Sequence, residues 1–182
     1  FPNLGSYKWS SSETTLPANE TKKEFDKKPV LERFDHQLKI SGLKTFHTLK
    51  PDFSWVCSNI DKLISKYNLS DYILLFPFCS EHLEQKKWPY YDQLIKLIKQ
   101  NHPNLKIVIA PGPDEIEKAK KLDAVSILKE DKAISISELA GLIKRSKFVV
   151  ANDTGPAHMA AHLNVKGLSL FGSHTTAYKV SI

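Results

Sequence analysis

From Ser70 onward the sequence alternates short apolar runs with helical stripes, and no other feature restricts the fold as tightly. The runs are Ile73-Leu74-Leu75-Phe76, Leu105 to Ala110, Val125 to Leu128, Phe148-Val149-Val150-Ala151 and Gly167 to Phe171. Each is apolar throughout rather than alternating, as a strand buried on both faces requires. Tyr91, Leu94, Ile95 and Ile98 form a helical stripe behind Trp88-Pro89. A second helix is expected after Pro111-Gly112-Pro113, through about Lys121. Ser135 and Glu138 have the spacing of a capping box, with Leu139, Leu142 and Ile143 behind them. Asp153-Thr154-Gly155-Pro156 leads into Ala157 to Leu163. Strands alternating with helices build βαβ units, and right-handed crossovers place helices on both faces. The fold class expected is therefore α/β, a Rossmann-like parallel sheet with helices on both faces. Ligands of such sheets lie beyond the carboxyl ends of the strands, so residues just after each run are the candidates for chemistry.

The first third of the chain lacks this alternation. Residues 1 to about 28 are polar, rich in Ser, Thr, Lys and Glu, and read as loop. Asn19-Glu20-Thr21 is formally a glycosylation acceptor, read as polar loop because no secretory signal accompanies it. Val30, Leu31, Phe34 and Leu38 give a short amphipathic helix. Pro51 opens a second helix, with Trp55, Val56, Ile60, Leu63, Ile64 and Tyr67 on one face out to Leu69. The division expected is a polar loop and the end of a preceding domain over 1–50, an interdomain linker helix over 51–69, and an α/β domain over 70–182 that is truncated at its C-terminus. The start at Phe1 rather than Met fits a fragment.

Charge narrows the partners. The net charge of +6 suits an anionic ligand, but the basic residues are spread along the chain and only Arg33 and Arg145 are arginines. Nucleic-acid readout favours concentrated, Arg-rich stripes, so no nucleic-acid partner is expected. A nucleotide diphosphate or an anionic membrane surface fits the charge. No apolar run approaches the ~20 residues of a membrane span. Cys57 and Cys79 have no metal-site or disulfide-framework spacing, which points to a reducing, cytoplasmic setting. His158 and His162 share a helix face, but His-Met-Ala-Ala-His lacks the Glu of a zinc motif and has no evident third ligand, so no metal is expected.

Four polar clusters follow four of the runs. Asn152 to His158 comes after the fourth. Gly155 permits close backbone approach, Pro156 suits a first helical turn, Thr154 adds a hydroxyl, and the helix N-terminus favours phosphate. Simple capping by Asp153 and Thr154 is the competing explanation. Lys86-Lys87 follows the first run and supplies an ammonium for a diphosphate or a solvated pair. Glu115, after the second run, is placed to accept from ribose hydroxyls or to cap its own helix. Gly172, with Ser173, His174, Thr175 and Thr176, follows the fifth. Cys79 has no activating base beside it in sequence and reads as a small buried thiol.

The stretch Val149-Val150-Ala151-Asn152-Asp153-Thr154-Gly155-Pro156-Ala157-His158-Met159-Ala160-Ala161, with Leu170-Phe171-Gly172, resembles glycosyltransferase family 9, the ADP-heptose:lipopolysaccharide heptosyltransferases. So do the flanking Lys-Trp-Pro, Gly-Pro-Asp-Glu and Ser-x-x-Glu-Leu-Ala, in that order, and the resemblance runs from about Lys28 to the C-terminus. It implies the GT-B architecture, two Rossmann-like domains facing a cleft, of which this chain holds the donor-binding part. Carried over by position, Lys87 faces the donor diphosphate and Asp153 the transferred sugar. Thr154 and Gly155 hold phosphate, His158 lies near the same group, Glu115 contacts the nucleoside, and Gly172 belongs to the same donor site. Two positions depart from the family pattern: Phe78 stands where Gly is common, and His174 where Thr is common.

The resemblance further implies an inverting, metal-independent transfer, without cofactor, from a nucleotide-diphosphate donor. ADP-heptose is the donor expected, and lipopolysaccharide core or a similar surface glycan the acceptor. The catalytic base is expected in the acceptor domain, outside this chain. A cytoplasmic location follows, with basic residues allowing contact with the inner membrane. A nucleotide-sugar epimerase of similar architecture and a non-catalytic nucleotide-binding module are the alternatives.

Overall fold

The computed structural model describes residues 15–180. The chain divides into two compact units, one ending at Pro51 and joined by the segment from Thr175, the other running Asp52–His174. No helix among the described residues is long and apolar enough to cross a membrane.

In the first unit, α1 (Lys22–Phe25) replaces part of the loop expected from composition. Thr21 starts it: its hydroxyl accepts from the Glu24 N–H, and Glu24 accepts from the Thr21 N–H at 2.9 Å. Thr21 of the glycosylation triplet is thus a helix cap, in a capping box worth about 1 kcal/mol. Phe25 is buried and meets His36 edge-on. α2 (Val30–Ile40) matches the helix read from Val30, Leu31, Phe34 and Leu38, yet none of its residues is buried and Phe34 is half exposed.

The second unit opens with a correction. The single linker helix expected over 51–69 is instead a short 3₁₀ turn (Ser54–Val56), an extended stretch, and α3 (Asp61–Tyr67). Two short side-chain bonds interrupt the helix: Asp52 accepts from the Ser54 N–H at 2.8 Å, and Asn59 from the Asp61 N–H at 2.8 Å. Short polar side chains compete with helix continuation in this way. Trp55, expected on the buried face, is 80% exposed. α3 ends at Asn68, whose φ of 48° is the left-handed C-cap conformation.

The strands and helices then alternate as the sequence requires: β1 (Tyr72–Phe76), α4 (Tyr91–Asn101), β2 (Lys106–Ile109), α5 (Ile116–Ala119), β3 (Val125–Ser126), α6 (Ile136–Arg145), β4 (Phe148–Asn152), α7 (Gly155–His162) and β5 (Gly167–Leu170). β3 is shorter than the run Val125 to Leu128. Ile127 still donates to the Ile109 carbonyl at 2.8 Å, but the Tyr67 hydroxyl then takes both backbone groups of Leu128. All pairs are parallel, in the order β3-β2-β1-β4-β5.

Period-two alternation sorts the side chains. Tyr72, Leu74 and Phe76 join Val108, Val149, Leu142 and Leu163 in the core under α3, α6 and α7. Ile73 and Leu75 join Ile107, Ile109, Tyr91 and Ile95 in the core under α4 and α5. Each fully buried aliphatic contributes about 1.5–3 kcal/mol. The α6 capping box forms as spaced, with Ser135 donating to Glu138 at 2.9 Å and Glu138 donating back at 3.2 Å. The chain reverses direction in the sheet between β1 and β4, so the carboxyl ends of those strands form the switch point where doubly wound sheets bind ligands. α8 (Ala177–Val180), in the first unit, lies against α2.

Candidate functional site

The site is assembled from the loops that leave β1, β2, β4 and β5. β4 ends on Asn152, fully buried, and Asp153, 4% exposed. Asn152 fastens the loop after β1: its Oδ1 accepts from the Trp88 N–H at 3.1 Å and lies 3.4 Å from the Tyr91 hydroxyl. Asp153 donates its backbone N–H to the Leu170 carbonyl at 3.1 Å, which ties the start of α7 to the end of β5.

The Asp153 carboxylate is the electrostatic centre. Lys86 Nζ lies 2.9 Å from its Oδ2 and 3.2 Å from its backbone carbonyl. His174 Nε2 lies 2.9 Å from the same Oδ2. His158 Nε2 is 3.7 Å from Oδ1, beyond hydrogen-bonding distance. Burial pushes the carboxyl up, but the hydrogen bonds from Lys86 and His174 and the Lys86 charge outweigh it and hold it below its ordinary 3.8. Burial drives His158 the other way, below its ordinary 6.5, and Lys86 adds to this while Asp153 opposes it. At 3.7 Å the His158 ring makes no hydrogen bond to Asp153.

The lysine on Asp153 is Lys86, whereas resemblance by position assigns the donor diphosphate to Lys87. Residues Glu81–Lys86 form a 3₁₀ turn, kinked at Leu83 (φ −125°, ψ 36°), that aims Lys86 back toward β4. Lys87 is exposed beyond the turn, in a shallow groove with Trp88 and Lys118. Adjacent side chains on such a turn diverge, and only the turn's direction, invisible in a Lys-Lys pair, separates them. The lower limb of this loop explains Gly172. A Cβ there would lie 2.7 Å from the Gln85 carbonyl oxygen and 3.1 Å from His174 Nδ1. Gly172 thus permits close approach of the Lys86-bearing loop.

Thr154 and Gly155 sit where expected, at the start of α7. Thr154 makes no side-chain cap; its hydroxyl donates to the Asn152 carbonyl at 3.2 Å. A Cβ on Gly155 would meet nothing within 4 Å. The first turn offers few donors to an anion, because Pro156 has no N–H and the Ala157 N–H closes onto the Thr154 carbonyl at 3.0 Å. Glu115 accepts from the Gly112 N–H at 2.8 Å and caps its own turn. It also lines a cavity of about 510 Å³ with Phe78, Ser80, Gly112, Ser135, Thr154 and others. Cys79 lines the same cavity, its thiol donating to the Leu83 carbonyl at 3.3 Å and its pKa raised by burial. The buried thiol expected from sequence is instead half-buried, at the cavity wall. Among the described residues, no group of three or more His, Cys, Asp and Glu side chains could hold a metal ion.

Sequence reasoning named both Lys86 and His174 among the residues that follow strands, but did not identify either as a partner of Asp153.

Comparisons with known proteins agree on one relationship. The sequence model of glycosyltransferase family 9 (heptosyltransferase) matches residues 6–179. Lipopolysaccharide heptosyltransferase 1 of Campylobacter coli is 32% identical over 98 residues, covering 49% of this chain and 29% of that protein. E. coli heptosyltransferase WaaC, solved with ADP, superposes with a TM-score of 0.58 at 23% identity, over 82% of this chain and 46% of WaaC. The family 9 glycosyl transferase from Veillonella parvula superposes with a TM-score of 0.63 at 17% identity, over 85% and 47%. These structures show the shared fold, that of GT-B heptosyltransferases, and the chain spans under half the length of the proteins it matches. With a match to the family's sequence model over nearly its whole length, this chain belongs to glycosyltransferase family 9.

Proposed function

We propose that the unit Asp52–His174 binds the donor of a heptosyl transfer, a nucleotide-diphosphate sugar with ADP-heptose as the expected species. The observation that carries this reading is the Lys86–Asp153 pair at the switch point, a cation and a carboxylate 2.9 Å apart, with Thr154, next in the chain to Asp153, lining a cavity of about 510 Å³. The cavity is large enough for a nucleoside, since small-ligand sites begin at about 300 Å³. E. coli WaaC, which shares the fold, has been solved with ADP and with ADP-2-deoxy-2-fluoro heptose.

In this arrangement the nucleoside enters the cavity against Phe78 and Glu115, the diphosphate lies between Lys86 and the N-terminus of α7, and Asp153 accepts from a hydroxyl of the sugar. Transfer is a displacement at the anomeric carbon. An acceptor hydroxyl oxygen forms the new bond, its proton passes to a base, and the bond to the diphosphate breaks with inversion. Charge then grows on the departing diphosphate, where Lys86 and the helix end oppose it. That stabilisation comes from a protein cation and a helix dipole, so the reading needs no metal. The acceptor is lipopolysaccharide core or a related glycan, and the reaction belongs on the cytoplasmic side of the inner membrane.

The test is product analysis with the complete enzyme, ADP-heptose and acceptor. Lys86→Ala and Asp153→Ala are each expected to lower kcat/KM at least about a hundredfold, the scale for removing one charge-stabilising group. Full activity in either variant would remove the site from the mechanism. An altered sugar nucleotide made without acceptor would point to the epimerase instead.

A further inference from the structure

We propose that His174 is a positioning residue for Asp153, the side chain that stays on the carboxylate when Lys86 is drawn away to the donor's diphosphate. The proposal rests on the donor-binding reading above and assigns a role to a residue outside it.

Among the described residues, three titratable groups face the Asp153 carboxylate, each from a different segment: Lys86 from the loop after β1, His158 from α7, and His174 from beyond β5. Of these, Lys86 and His174 reach it, both at 2.9 Å and both on Oδ2. Asp153 is 4% exposed, so the loss of either donor from Oδ2 is costly to the carboxylate.

The two differ in freedom. Lys86 is a point charge on a flexible four-carbon stem, 22% exposed at the end of a kinked turn, and a diphosphate attracts it. His174 is the more enclosed, with a side chain 14% exposed. Its Nδ1 is buried, has no partner among the described residues, and lies 3.1 Å from where a Cβ on Gly172 would stand. Since a carboxylate oxygen only accepts, Nε2 carries the proton of the His174–Asp153 bond. Nδ1 makes no competing bond, so Asp153 is the sole hydrogen-bond partner of the ring among the described residues.

When Lys86 leaves, a buried carboxylate loses its counter-charge. Without a second donor it would reorient or take up a proton, and a protonated Asp153 would no longer accept from the sugar. His174 prevents both. It holds Oδ2 and leaves Oδ1 as the acceptor, with the His158 ring 3.7 Å away.

The experiment has two arms, using the chain with His174→Leu and His174→Gln beside the wild type. The first follows the Asp153 carboxyl by 13C NMR through a pH titration without ligand. His174→Leu is expected to raise the Asp153 midpoint, and His174→Gln, whose amide N–H reaches about as far as Nε2, to restore most of the shift. An unchanged midpoint in His174→Leu overturns the proposal. The second arm titrates ADP and ADP-heptose by calorimetry. His174→Leu is expected to weaken ADP-heptose about tenfold and ADP less than about threefold, a difference well resolved on the affinity scale. Equal loss for both probes overturns the proposal, since it marks general damage rather than a role at the sugar. If the wild type binds neither probe, the donor reading falls, and the carboxyl titration alone upholds or overturns the hold of His174 on Asp153.

Discussion

A buried carboxylate at the end of a central strand is costly unless it is paired, and around Asp153 the pairing comes from residues far away in sequence. The sequence placed Asp153, Thr154, Gly155 and His158 correctly at a strand-to-helix turn, because the apolar run before them and Pro156 after them are local signals. It did not reveal which lysine turns back to meet Asp153, since that depends on the kink at Leu83. Nor did it reveal that His174 crosses from the next strand, a contact set by the parallel pairing of β4 with β5. The histidines yield a prediction at this scale. Burial lowers the pKa of both His158 and His162 below 6.5, and the unfolded chain binds their protons first. Their contribution to stability is thus fully present above pH 6.5 and is lost as pH falls through 6.5 toward the lower native values. Urea denaturation between pH 7.5 and 5 is expected to show His158→Gln losing less stability on acidification than the wild type. Parallel curves would show that His158 titrates normally in the native protein.

Among the elements, the loop between β1 and α4 matters most, and its anchors include Asn152 on Trp88, Lys86 on Asp153, and the close pass of Gln85 by Gly172. The last anchor separates two glycines that look equivalent in sequence. At Gly172 a Cβ would stand 2.7 Å from a backbone oxygen, so Gly172→Ala must displace the loop. At Gly155 a Cβ meets nothing within 4 Å. Gly172→Ala is expected to lower Tm by several degrees, on the order of 1–2 kcal/mol of overpacking strain, and to weaken ADP. Gly155→Ala is expected to leave Tm within about a degree and to weaken ADP alone, because the space it fills is where the proposed donor's phosphate would approach. Thermal melts and ADP titrations of the two variants check this, and equal Tm losses would contradict it. Elements with one dominant signal were legible: the five strands from apolar runs, α6 from its capping box. The linker was not, because its apolar stripe reads as one helix while the bonds of Asp52 to the Ser54 N–H and Asn59 to the Asp61 N–H break it.

At the scale of the molecule, the sheet order β3-β2-β1-β4-β5 brings the ends of β1 and β4 side by side, and every candidate residue falls at that edge because the strands are parallel. This much followed from alternation alone, since parallel strands all end at one edge. The order of the strands did not, and with it the juxtaposition of Lys86 and Asp153. The spread positive charge, +6 over the whole chain, plays no visible part in the site, where one lysine supplies the cation. The central claim, that this edge takes a nucleoside diphosphate through Lys86, is tested most directly by calorimetric titration of ADP into the chain and into its Lys86→Ala and Lys87→Ala variants, with GDP and UDP as comparisons. The account predicts a micromolar to low-millimolar Kd for ADP, about −8 to −4 kcal/mol, weakened about tenfold or more by Lys86→Ala and little by Lys87→Ala. Binding that survives Lys86→Ala and is lost with Lys87→Ala would contradict it, as would no binding by a chain shown to be folded.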